Sequence, residues 1–247
     1  MSSFTPVIIF ILVLLIQALM RLSPNIFAIF EHSAIANKDR RIADRAGLYF
    51  IFGSEITLAL IFLIVFIALS FFLISQTFVS KIFLWVMFGV LIAEAILSLF
   101  FYFKRKSTRL FITRRTANML VKKAETTKSC KSMFVLGVLT RLIELPFTLP
   151  LIILTALITL SSSSNGILYS SAQPSIAAPS LSCTFVFVTY LIISILPIFF
   201  VYAFFHSGHN LADYQRFQTK TKVLTRITLS VCFAILAILI FNLGLIS

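Results

Sequence analysis

The sequence predicts an all-α integral membrane protein: six transmembrane helices forming two inverted three-helix repeats, with both termini outside. Three observations lead there. Of 247 residues, 60% are hydrophobic and only 12% charged, with a mean hydropathy of +1.05, well beyond the composition of a soluble domain. Six apolar runs approach or exceed the length needed to cross a hydrocarbon core of about 30 Å. The basic residues are also distributed unevenly between those runs: of 21 Lys and Arg, 18 fall in the first, third and fifth loops. The positive-inside rule places those loops in the cytoplasm.

The first repeat occupies residues 1–103, with spans at about 6–30, 47–75 and 82–103. The N-terminus carries no basic residue, and the apolar run from Pro6 reaches Phe30 with no small-residue cleavage site between, so a cleaved signal peptide is not expected. Arg21, Ser23, Pro24 and Asn25 interrupt the first span, which either continues across them or ends near Met20. Lys38, Arg40, Arg41 and Arg45 mark the first loop; Glu55 lies inside the second span and Glu94 inside the third. Trp85 suits an interfacial anchor.

Residues 104–132 carry ten Lys and Arg against one acid, Glu125, interleaved with Leu110, Phe111, Ile112, Met119, Leu120 and Val121. This reads as a basic amphipathic cytoplasmic segment lying on anionic lipid. Stacking aromatics are too scarce for a nucleic-acid surface. The second repeat, 133–247, has spans at about 133–160, 181–205 and 227–246. Its uncharged Ser- and Ala-rich stretch from 161 to 180 reads as an exposed loop.

The fourth span holds the densest chemistry. Arg141 and Glu144 are three apart and share a helical face, while Pro146 and Pro150 remove backbone donors and predict a helix break. Pro24 and Pro197 predict further breaks in the first and fifth spans. Counted from the cytoplasmic ends, Arg21 and Glu94 lie nine residues deep, Glu55 and Arg141 eight, and Glu144 eleven. That is a layer roughly 12–17 Å into the membrane. With Asn25, these five residues are the candidate substrate- or proton-binding set, since buried charge in a membrane survives only where it faces protein or a wet cavity. A salt-bridge cluster that only holds the bundle together is the alternative.

Other chemistry is thin. His206, His209 and Asp213 share a face and form a weak candidate for a metal site. Cys130, Cys183 and Cys232 make no CxxC pair, and no cofactor site is expected. The chain has no GxSxG, Walker A or HExxH pattern, so no enzyme activity is predicted.

Ser23–Pro24–Asn25, the basic first loop, and ELPFTLP at 144–150 opening the second half resemble the LysE and CcdA/DsbD superfamily of six-helix membrane proteins. The fourth span is similar to the ELPCTGGP-like segment of CcdA-type thiol-disulfide transporters. Members that relay electrons need a cysteine after the key proline of each half; here those places hold Asn25 and Phe147. The resemblance therefore implies the transport branch, which includes the GAP group, with broken first and fourth helices lining the pathway. The expectation is an integral membrane transporter in the cytoplasmic membrane of a prokaryote, exporting an unknown small molecule, ion or lipid-linked product. A CcdA-like scaffold or partner protein without relay activity is the alternative, and a membrane enzyme with a carboxylate site has the least support.

Overall fold

The structure is a computed structural model that describes residues 5–22, 26, 28–31, 40–73, 77–100, 114–127, 129–163, 183–207 and 211–246. Seven helices of twelve or more residues carry it: α1 (Thr5–Arg21), α2 (Arg40–Leu73), α3 (Thr77–Phe100), α4 (Arg114–Glu125), α5 (Cys130–Ser163), α6 (Cys183–His206) and α7 (Leu211–Ile246). Five of these, α2, α3, α5, α6 and α7, are long and apolar enough to cross a membrane. The chain is thus an all-α protein of membrane-spanning character.

Three elements bear on the expectations. Of the two courses open to the first span, the interrupted one is taken: α1 is 17 residues long and stops at Arg21, Leu22 is not helical, and helix resumes at Ile26 and residues 28–31. At about 1.5 Å per residue α1 spans roughly 26 Å, just short of a full crossing. Second, Pro146, Pro150 and Pro197 do not break their helices; α5 and α6 run through them. Each proline removes one backbone donor, and apolar helices tolerate that loss when nearby hydroxyls help to satisfy the backbone. The carbonyls that lose their i+4 donor are those of Leu142, Pro146 and Ile193. Pro24 and Asn25 lie outside the described residues. Third, α7 begins sixteen residues before the expected sixth span, at Leu211 instead of 227. Leu211–Arg226 contains no Gly or Pro to stop a helix, so Arg216, Lys220, Lys222 and Arg226 ride on a polar extension of α7.

The helices pack as two intimate pairs, α2 with α5 and α3 with α7, while α1 sits against α5, α6 and α7. Where helices meet in an apolar medium the hydrophobic effect does not distinguish neighbour from lipid, and close van der Waals packing takes over. Glycine makes that possible between α2 and α5. A Cβ on Gly53 would run into the Phe134 carbonyl oxygen, and one on Gly137 into the Phe50 carbonyl oxygen. The two backbones therefore touch at this crossing.

Buried side chains fall into two apolar clusters. One joins Phe10, Val13, Ile16 and Met20 of α1 to Leu58 and Phe62 of α2, Leu91 of α3, Leu151 and Leu154 of α5, Tyr190 of α6 and Phe233 of α7. The other joins Ile26, Ile29 and Phe30 to Phe50 and Ile51 of α2, Leu120 and Ala124 of α4, Met133 and Leu136 of α5, and Ile198 and Val201 of α6. The amphipathic α4 accordingly turns Leu120 and Ala124 into the protein and leaves Met119, Lys122 and Lys123 exposed.

The Gly53–Gly137 crossing fixes how far α2 can slide on α5. Gly137→Leu and Gly53→Leu are expected to abolish monodisperse, folded protein in detergent by size-exclusion chromatography. Gly89→Leu, where an added Cβ meets nothing within 4 Å, is expected to elute as wild type.

Candidate functional site

Between the two apolar clusters lies a polar layer. Along α2 the order is Phe50 and Ile51, then Ser54 and Glu55, then Leu58; along α5 it is Leu136, then Thr140, Arg141 and Glu144, then Leu151. On α6, Ser194 separates Tyr190 from Ile198, and on the first segment Arg21 separates Met20 from Ile26. Gly53 and Gly137 place this layer, because Glu55 follows Gly53 by two residues and Arg141 follows Gly137 by one helical turn.

Arg21 is its hub. One terminal nitrogen, Nη1, donates to Glu144 Oε2 at 3.0 Å. The other, Nη2, donates to Glu55 Oε1 at 3.0 Å and Ser54 Oγ at 2.9 Å. Its position at the end of α1 adds a favourable term, since the C-terminal end of a helix carries partial negative charge. The network continues to α6: Ser194 Oγ donates to Glu55 Oε1 at 3.4 Å, and Gln17 Nε2 donates to Ser194 Oγ at 3.3 Å. Three helices and one helix end are thus tied by bonds to charged groups, which are shorter and stronger than neutral ones.

Arg141 is held differently. It is completely buried, and its Nη1 lies 3.7 Å from Glu144 Oε2, an ion pair without a hydrogen bond. Its Nε, Nη1 and Nη2 all lack hydrogen-bond partners, as does the hydroxyl of the equally buried Tyr190. Tyr190 stands against the Arg141 guanidinium, its hydroxyl close enough to interact with the N–H groups but outside hydrogen-bonding geometry. On the acceptor side, Glu55 Oε2, Gln17 Oε1 and the Tyr190 hydroxyl oxygen are buried without partners among the described residues.

Of the residues singled out in the sequence, Arg21, Glu55, Arg141 and Glu144 come together. Glu94 does not join them. It lies on α3, whose main partner is α7, and it is buried with Oε2 unpartnered and no ion pair among the described residues. A shared depth is not a shared face, and α3 packs away from the Arg21 network. Asn25 and His209 lie outside the described residues, and nothing is described of the Asp213 side chain. His206 is exposed at the end of α6, with its ring stacked on Tyr202 at 6.1 Å between centroids. No group of three or more His, Cys, Asp or Glu that could hold a metal occurs among the described residues.

Sequence reasoning passed over Gln17, Ser54, Tyr190 and Ser194. The signal was present: Gln17 stands four residues before Arg21, Ser54 adjoins Glu55, and Tyr190 and Ser194 are four apart in an apolar run, so each pair shares a face or a turn. No family model, curated protein or solved structure matches this chain.

Removing the hub leaves two buried carboxylates without their cation. Arg21→Met is expected to lower stability by about 3 kcal/mol, read by denaturant unfolding in mixed micelles. In a double-mutant cycle, Arg21→Met with Glu55→Gln is expected to lose less than the sum of the single changes. Additivity would mean that the pair does not interact.

Proposed function

We propose that the chain is a membrane transporter, an exporter of a small molecule, ion or lipid-linked product, whose site is the polar layer at Arg21, Glu55, Arg141 and Glu144. The observation that carries this reading is the unequal treatment of two buried arginines. Arg21 is bound through both terminal nitrogens by two carboxylates and a serine, with its Nε alone unmet, whereas Arg141 has no hydrogen bond at all. A layer serving stability alone gains nothing from a buried guanidinium left unbonded, because each unmet donor costs free energy in an apolar setting. A layer that exchanges partners during a transport cycle needs such a group.

Two further features support it. Helix α1 ends within the apolar bundle, at the network, and helix resumes at Ile26; interrupted helices are the usual scaffold of midplane sites in transporters. The packing pattern also suits two inverted repeats. Exchanging α1 with α5, α2 with α6 and α3 with α7 converts the α2–α5 contact into α6–α1 and the α1–α7 contact into α5–α3, all of which are made. The α5–α6 and α2–α3 contacts have no counterpart among the described residues. The resemblance to the LysE and CcdA/DsbD superfamily belongs to this same proposal.

By the positive-inside rule the basic segments, including exposed Lys122, Lys123 and Lys131, face the cytoplasm of a prokaryotic plasma membrane, where α4 and its flanks meet anionic lipid.

Cysteine scanning of residues 139–152 in a cysteine-free background, with an impermeant thiol reagent applied from each side, tests the reading. Labelling at positions 141, 144 and 148, periodic on one helical face, is the expected result. Protection of the whole stretch from both sides would mean a permanently dry layer and would favour the CcdA-like scaffold. In proteoliposomes Glu144→Gln is expected to reduce flux at least tenfold, because Glu144 faces both arginines.

A further inference from the structure

Building on the transport reading, we infer that Arg141 and Tyr190 form a seat for an oxyanion head group, a carboxylate or phosphate, carried by the substrate. Donors outnumber acceptors here. Arg141 offers five N–H groups and Tyr190 one O–H, all without hydrogen-bond partners, against one carboxylate oxygen of Glu55, the amide oxygen of Gln17 and the Tyr190 hydroxyl oxygen itself. An oxyanion supplies several acceptor positions at once and matches the planar guanidinium fork in bidentate fashion. A cationic or purely apolar substrate would leave these donors unmet.

The charge balance sets a condition on entry. Arg141 is surrounded by Arg21 from α1, Glu55 from α2, Glu144 on its own helix and Tyr190 from α6. Of the other helices packed against α5, α3 carries Glu94, and α4 carries Lys122, Lys123 and Glu125, all three exposed. Two arginines and two glutamates already cancel, so a monoanion brought to Arg141 adds one net negative charge to an apolar layer. Ionised groups are costly there. An accompanying proton relieves the excess, so the head group's binding strengthens as pH falls, by up to about tenfold per unit for one coupled proton.

The test uses the full chain in nanodiscs of zwitterionic lipid, titrated with acetate, inorganic phosphate and sulfate while Tm is followed, and repeated in discs doped with phosphatidate. A saturable rise in Tm with at least one of these anions, larger at lower pH, is expected. A rise with soluble anion assigns the seat to a free solute, and a rise only with phosphatidate assigns it to a lipid head group. Arg141→Gln and Arg141→Lys are expected to weaken the response about tenfold or more, and Tyr190→Phe, which keeps the ring and its packing, several-fold. If Arg141→Gln does not fold, Arg141→Lys and Tyr190→Phe decide. No response of the wild type to any anion, a pH-independent response, or one unchanged in the variants that fold would overturn the seat. Binding and transport fail separately. Anion binding that depends on Arg141 without flux in proteoliposomes removes the transport reading and keeps the seat. Flux that needs Glu144 but survives Arg141→Lys and Tyr190→Phe keeps the transport reading and removes the seat.

Discussion

A guanidinium that cannot reach water must be met by carboxylates, and the placement of α1, α2 and α5 follows from that requirement at Arg21. Glu55 and Glu144 come from helices remote in sequence, and both lie 3.0 Å from Arg21. An apolar medium gives helices little preference among one another, so buried polar bonds and close packing select the partner. The Gly53–Gly137 crossing and the Arg21 network act in concert: the glycines let α2 and α5 approach, and the charges fix their register. Sliding α5 by one turn would move Glu144 by about 5.4 Å, out of hydrogen-bond range of Arg21.

Membrane-spanning character was legible in the sequence, because hydropathy needs no knowledge of neighbours. Which charges meet was less legible. Glu94 was expected at the depth of Arg21 but sits on α3, and the pairing of α3 with α7 removes it from the network. The prolines misled for a related reason. Pro146, Pro150 and Pro197 do remove donors, yet the remaining backbone bonds carry α5 and α6 through them. The interruption after Arg21 was legible as one of two possibilities, and the extension of α7 through Leu211–Arg226 was hidden because polar helix and polar loop share a composition.

The unbroken course of α5 bears on how such a site could work. A rigid helix carrying both Arg141 and Glu144, with glycine contact at one end, can change the surroundings of the charges only by moving as a body or by letting α1 move against it. The end of α1 is the easier element to shift. It stops at the network, it is shorter than a full crossing, and it is held there by side-chain bonds from Arg21 and Gln17 and by the packing of Met20 and Ile16. Weakening the Arg21–Glu144 bond therefore loosens the interrupted helix from the continuous one. Glu144 also faces Arg141, so a change at this carboxylate bears on both arginines at once. One oxygen, 3.0 Å from Arg21 and 3.7 Å from Arg141, thus ties the surroundings of the unbonded arginine to the end of α1. A cluster built only for cohesion would not need this coupling.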